Sequence, residues 1–273
     1  AVCALAKPVA AVANDADTGK PVVSWEAVEG ADGYEIYRSF TEDGDYELAD
    51  TVTDGTSFHD MTAQVGTEYF YKVKAIHSNA AANSVDSAAV SCVCDLGKPV
   101  VSTSNNDAGK PVVEWETVEG AEKYRIYRST SATKGFELVE TAIAARSYTD
   151  KSAATGKVYY YKVRAIYEDF AADSEVVSHR CILAEPTVTI TGNSATGKNV
   201  VKWGTVTGAA KYYVYRSTQK SSGYRKVYTA VKARSYEDTA AEAGTAYYYK
   251  VMAVHEKSSA NSAYSAVKYI KAK

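Results

Sequence analysis

Three features of the 273-residue sequence predict an all-β fold built as three antiparallel sandwiches in tandem. The first is repetition. Gly-Lys-Pro-Val-Val-x-Trp-Glu-x-Val-Glu-Gly-Ala occupies Gly19 to Ala31 and Gly109 to Ala121, and a looser copy runs from Gly197 to Ala209. Trp25, Trp115 and Trp203 are separated by 90 and then 88 residues, and so are the Tyr-Lys-Val-x-Ala segments starting at Tyr71, Tyr161 and Tyr249. Self-similarity at a fixed period marks a repeat architecture. The second is a two-residue alternation of apolar and polar side chains over short runs, with no sustained helical period. The third is composition: 23 Tyr against 5 Phe. Tyrosine buries a large ring while keeping its hydroxyl wet, which suits half-exposed strands.

The first repeat divides into seven strands. Pro8 to Val12 is a short apolar run, and a proline there fits an edge strand. Asn14 to Gly19 has the composition of a turn. Val23 and Trp25 then share one face of the second strand, with Val22, Ser24 and Glu26 on the other. After the turn at Glu29 to Gly33, Tyr34, Ile36 and Arg38 face one way and Glu35, Tyr37 and Ser39 the other. Tyr46 to Val52 and Thr56 to Phe58 are short strands. Tyr69 to His77 is the longest, with Tyr69, Tyr71, Val73 and Ala75 inward and Phe70, Lys72 and Lys74 outward. Val85 to Val93 closes the unit. Seven short strands punctuated by turns predict an antiparallel sandwich. The three units are assigned to 1–93, 94–180 and 181–273.

These residues resemble the fibronectin type III family. The likeness rests on a Trp on the second strand, Tyr-x-Ile/Val on the third, and Gly-Thr-x-Tyr-x-Tyr-x-Val-x-Ala on the sixth. The last pattern runs from Gly66 to Ala75 and from Gly244 to Ala253; the middle copy substitutes Lys157 but keeps Tyr159, Tyr161, Val163 and Ala165. The Tyr-x-Ile/Val-Tyr-Arg-Ser phrase at Tyr34, Tyr124 and Tyr212, and Cys-x-Leu-x-x-Pro at Cys3, Cys94 and Cys181, are similar to bacterial surface-protein versions. The resemblance implies three tandem seven-stranded immunoglobulin-like sandwiches in an elongated array, roughly 100 Å end to end at about 3.3 Å per residue. It also implies that Tyr69, Tyr159 and Tyr247 are tyrosine-corner residues, their hydroxyls tied to nearby backbone. No Arg-Gly-Asp occurs, so integrin-type adhesion has no carrier. The junctions contain no Gly/Ser-rich spacer, which predicts limited swing between units.

Reactive residues repeat as structure or vary as surface. Cys3, Cys94 and Cys181 each precede a proline by five residues and are one position seen three times, too far apart for mutual disulfides. Their expected role is as small buried side chains at the junctions, with a Cys92–Cys94 redox or metal site as the alternative. His77 and His255 share one repeat position, and His59 and His179 are isolated. The acidic loop Thr41 to Asp45 supplies too few oxygens for calcium and is read as a solvated turn. The 31 basic and 33 acidic residues leave a net charge of −2, which argues against a field that recruits nucleic acid or anionic membrane.

The candidate binding face is an outward aromatic pair on the third and sixth strands of each unit: Tyr37 with Phe70, Tyr127 with Tyr160, Tyr215 with Tyr248. Such pairs can stack on sugars or dock a protein, and they also stabilise any antiparallel sheet. The functional expectation is a non-enzymatic, extracellular spacer and interaction segment of a larger bacterial surface or secreted protein, active in adhesion or display. No catalytic residue, cofactor or metal is expected. A glycan or a surface protein is the expected partner, with no nucleic acid, no membrane insertion, and a monomeric state. Two alternatives stay open: an adhesin binding carbohydrate or protein through the aromatic pairs, and an accessory region of a secreted polysaccharide-degrading enzyme.

Overall fold

The computed structural model describes residues 3–273 and is all-β apart from two short 3-10 turns. The first repeat contains β1 (Ala10–Asn14), β2 (Pro21–Trp25), β3 (Gly33–Ser39), β4 (Glu47–Val52), β5 (Ser57–His59), β6 (Glu68–Ile76) and β7 (Val90–Val93). They form a three-stranded sheet ordered β1-β2-β5 and a four-stranded sheet ordered β4-β3-β6-β7, antiparallel throughout. The third repeat follows the same plan with β16 (Val188–Gly192), β17 (Asn199–Trp203), β18 (Lys211–Ser217), β19 (Arg225–Ala230), β20 (Ser235–Asp238), β21 (Ala246–Val254) and β22 (Lys268–Lys271).

The second repeat departs from that plan. It has β8 (Val101–Asn105), β9 (Pro111–Trp115), β10 (Lys123–Ser129), β11 (Glu137–Ala142), β12 (Ser147–Thr149), β13 (Val158–Tyr167), β14 (Phe170–Asp173) and β15 (Val177–Arg180). The extra strand β14 returns directly on β13 through Glu168 and Asp169. Glu168 takes a positive φ of 46° there, a turn conformation that costs a side-chain-bearing residue some strain. The other repeats use the 3-10 turns Ala80–Ala82 and Ser258–Ala260 at this point.

Most strand limits lie within a residue of expectation, and two strands differ by more. The first runs over Ala10–Asn14 rather than Pro8 to Val12. The last, expected over Val85 to Val93, is a strand only over Val90–Val93. Upstream of it, the Ser84 and Ser87 hydroxyls accept the backbone N–H of Ala75 and Val73 at 2.9 and 3.0 Å, so side chains stand in for the ladder. Ser262 and Ser265 do the same in the third repeat.

Each pair of sheets encloses one hydrophobic cluster. Val23, Trp25, Tyr34, Ile36, Tyr69, Tyr71, Val73 and Ala75 fill the first, matching the inward rows read from the alternation. Their counterparts fill the other two, around Trp115 and Trp203. Each Trp lies 5.2 to 5.8 Å from the Tyr at the second position of the next strand (Tyr34, Tyr124, Tyr212), a tilted aromatic pair.

The repeated Gly-Lys-Pro string is where the units meet. At Gly19, φ is 71°, and a Cβ would collide with the backbone of Asp95 and Leu96, because the connecting segment crosses directly over it. Asp95 N–H donates to Gly19 C=O at 3.0 Å, and Lys98 N–H donates to Asp17 C=O at 2.8 Å. Gly109 receives Ile182 identically at the second junction. The Lys of the string ties each unit together from within. Lys20, Lys110 and Lys198 donate from Nζ to the carbonyls of Ala63, Ala153 and Ala241 at 2.6, 2.6 and 2.9 Å, bridging to the loop before the sixth strand. Leu96 and Leu183 insert into the clusters of the following units, while Cys94 and Cys181 close the preceding ones.

Candidate functional site

The most polar buried constellation recurs three times. In the first repeat Asp60 accepts from Arg38 Nη1 at 2.7 Å, Tyr71 OH at 2.9 Å and Thr62 Oγ1 at 2.7 Å. In the second, Asp150 accepts from Arg128 Nη1 at 3.0 and 2.9 Å, Tyr161 OH at 2.8 Å and Ser152 Oγ at 2.7 Å. In the third, Asp238 accepts from Arg216 at 2.8 Å and Tyr249 OH at 2.6 Å, and Asn199 Nδ2 donates to that same hydroxyl at 3.1 Å. Asn199 stands where the other copies have Pro21 and Pro111.

Burial alone would raise the Asp60 and Asp150 carboxyls. The hydrogen bonds from Arg, Tyr and Thr or Ser outweigh it and hold both below the ordinary carboxylate value. The tyrosine hydroxyls are pushed up, by burial first and then by bonding to the carboxylate. Sequence reading missed these clusters, although a signal existed: Arg and Asp are 22 residues apart in every copy. A carboxylate saturated by donors is a poor general base, and a group present in every repeat ties sheets together; these clusters are structural.

Tyrosine corners occur where the resemblance implied. The backbone N–H of Gln64, Ala154 and Glu242 each donates to the hydroxyl of Tyr69, Tyr159 and Tyr247 at 3.1 Å. A second tyrosine set does the same at the turn after β2 and its counterparts: Val28, Val118 and Val206 N–H donate to Tyr34, Tyr124 and Tyr212 OH at 2.7, 2.8 and 2.7 Å.

Cys94 and Cys181 are fully buried, their thiols directed at the carbonyls of Gly19 and Gly109 at 3.6 and 3.4 Å. Cys92 is half-buried, and burial pushes its thiol up to about 11. All four cysteines are free. His77 and His255 accept through Nδ1 from Asn79 and Lys257 N–H at 2.9 and 3.0 Å, His59 is exposed, and His179 binds Asn105 and Thr103 side chains. Among the described residues no three His, Cys, Asp or Glu side chains converge as a metal site, the Thr41 to Asp45 loop included.

The six candidate aromatics all lie on the outer face of the larger sheets, four-stranded in the first and third repeats and five-stranded in the second, and are half-buried. They are diagonal rather than opposite: Tyr37 pairs with Lys72 and Phe70 with Ser39, a register repeated in the other units. The lysine at the centre is roofed by a further aromatic. Lys72 Nζ lies 3.9 Å from the Tyr46 ring, Lys162 lies 5.4 and 5.6 Å from Tyr127 and Phe136, and Lys250 lies 4.3 and 3.7 Å from Tyr224 and Tyr264. The three faces are not equivalent. On the first, Tyr37 OH donates to Glu35 at 2.7 Å; on the second, Lys162 and Arg164 pair with Asp173 at 2.8 and 2.6 Å. The strands of the third contain no Asp or Glu.

The sheet order, three strands packed on four (five in the second repeat) with a tyrosine corner in each unit, decides the fold. Chicken interferon gamma receptor alpha chain superposes with a TM-score of 0.50 at 13% identity, over 66% of this chain and 99% of its own. The fold is the fibronectin type III sandwich. A two-domain fibronectin type III segment of chicken tenascin also matches, with a TM-score of 0.39 and 18% identity over 63% of this chain and 97% of its own. No protein-family model matches the chain. Among curated proteins, an amylopullulanase of Thermoanaerobacterium saccharolyticum is 42% identical over 74 residues, 26% of this chain and 6% of that protein. Exoglucanase B of Cellulomonas fimi is 27% identical over 280 aligned residues, 90% of this chain and 24% of that protein. The chain thus spans about a quarter or less of the curated relatives it matches.

Proposed function

We propose that these fibronectin type III units are an accessory segment of a secreted polysaccharide-degrading enzyme, holding its functional domains apart and presenting a binding surface to the substrate. The alignment along 90% of the chain with part of an exoglucanase carries this reading. Junction geometry supports the spacer role. Two backbone hydrogen bonds and an inserted leucine at each crossing resist bending far more than a Gly/Ser linker would.

The test is the reading frame that contains these units and the enzyme it encodes. The proposal expects a glycoside hydrolase domain in that frame. It also expects that deleting the segment leaves hydrolysis of a soluble oligosaccharide unchanged while slowing attack on an insoluble polysaccharide. A frame with no hydrolase, or equal loss on both substrates, would sink it.

A further inference from the structure

The balanced total charge conceals a gradient along the chain. Residues 1–93 carry 5 basic and 15 acidic side chains, residues 94–180 carry 12 and 13, and residues 181–273 carry 14 and 5. The repeats therefore run from −10 through −1 to +9. The expectation of no recruiting field holds for the sum and not for the third unit. Repeats under a common structural constraint would drift in charge at random; a segregation this steep places an electrostatic surface at one end.

The excess is organised on one sheet face. Strands β18, β19, β21 and β22 contain no Asp or Glu. Their outward rows follow from the pairing: Lys271 beside Ala246, Tyr269 beside Tyr248, Tyr215 between Lys250 and Lys226, Met252 beside Tyr213. Tyr248 and Tyr269 lie 5.2 Å apart, and Tyr264, bridged to Met252, meets Tyr215 edge-on at 5.2 Å. Lys226 lies 4.3 Å from the Tyr213 ring. Tyr264 and Tyr269 are 43% and 57% exposed, and Lys226 and Lys271 are exposed. Among the described residues, none of these lysines has a carboxylate within ion-pair distance, unlike the neutralised faces of the other units. Aromatic rings spread over a flat sheet offer stacking platforms, and free lysines between them offer cation contacts.

We infer that this face of the third unit binds an anionic polysaccharide, a chain of sugar rings bearing carboxylates. Rings supply the stacking and lysines the charge complement; a neutral glucan would leave the lysines unused. The choice of a glycan over other polyanions rests on the accessory reading above.

The experiment is affinity electrophoresis of the full chain in gels containing polygalacturonate, with pullulan as the neutral glycan and polyglutamate and single-stranded DNA as polyanions without sugar stacking or without uronate. Polygalacturonate is expected to retard the chain, less so as salt is raised, because screened charges contribute less. Pullulan and polyglutamate are expected not to retard it. Y248S/Y269S keeps the charge and is expected to weaken binding on the order of tenfold for two lost stacking contacts. K226E/K271E, at exposed positions where folding is undisturbed, is expected to abolish binding. Retention of polygalacturonate binding by Y248S/Y269S, equal retardation by polyglutamate or DNA, or no retardation at all would overturn the inference. So would concentration-dependent self-association in sedimentation that K226E/K271E abolishes, since that assigns the face to the acidic first repeat of a second copy. Failure here leaves the hydrolase-frame test untouched, and failure of that test leaves binding measurable.

Discussion

Replacing Asp150 with Asn tests whether the buried Arg–Asp–Tyr clusters lock the sheets together. Asp150 accepts two contacts from Arg128, one from Tyr161 and two from Ser152, and its side chain is inaccessible to solvent. Asn keeps one acceptor oxygen, presents an amide donor to two donors, and leaves a guanidinium without its counter-charge. Removing one partner of a buried pair costs about 3–5 kcal/mol. Arg128 is 25% exposed and recovers some hydration, so the lower end, about 3 kcal/mol, applies. A unit of this size holds roughly 5–13 kcal/mol in total, so the loss is a large share of it. At about 4–8 °C per kcal/mol, the unfolding temperature of the second unit falls by about 12–24 °C.

Scanning calorimetry reads this directly, with the first and third units as internal controls. The pH dependence provides a second readout. Because the Asp150 carboxyl is held below its unfolded value, its contribution is present above the unfolded pKa and is lost as pH falls through the folded one. The wild-type transition of this unit should therefore drop on acidification below about pH 4, and the Asn variant should lack that component. D150L/R128M, which removes both charges, should recover most of the stability. A shift under about 4 °C for D150N, or an acid slope unchanged by it, would refute the assignment.

Three further outcomes follow from the geometry. Y159F deprives the Ala154 N–H of its acceptor and should cost about 1–2 kcal/mol in chemical denaturation, with the other units unaffected. Gly156 has a φ of 83°, and a Cβ there would lie 3.3 Å from the His255 ring across the second junction. G156V should therefore destabilise by about 1–3 kcal/mol and speed tryptic cleavage at Arg180; unchanged cleavage would argue against tight junction packing. In a thiol titration of the native chain, exposed Cys3 should react first and Cys92 slowly, faster as pH approaches 11, with Cys94 and Cys181 silent until unfolding. Four equal rates would contradict the buried-thiol role.

Much of the fold was legible because local chemistry specifies it. The alternation through Tyr69, Tyr71, Val73 and Ala75 predicted the inner row that packs the first core. The final strand was over-read because Ser84 and Ser87 offer the backbone a side-chain partner in place of a neighbouring strand, a choice that a hydrophobic pattern does not register. The extra β13–β14 hairpin was missed because its turn, Glu168-Asp169, lacks the glycine or asparagine that usually announces one. The aromatic face was identified residue by residue, and Glu35 was already placed beside Tyr37 on one face of the third strand; the neutralising Asp173, by contrast, reaches Lys162 and Arg164 only once β14 pairs with β13.

By itself the sequence determined the threefold repetition and the all-β sandwich class, because period, strand alternation and corner tyrosines are all local or repeating signals. Tertiary structure alone decided what the repeated and the differing residues do. The Gly-Lys-Pro string became a junction when the connecting segment was seen crossing Gly19, and Arg38 and Asp60, 22 residues apart, became a lock when two sheets brought them within 2.7 Å. The four acid-free strands of the third unit became one tyrosine-and-lysine face when their register was known. The physical reason is the same each time: charge and polarity act through space at a few ångströms, and chain separation says nothing of that distance until the sheets are assembled.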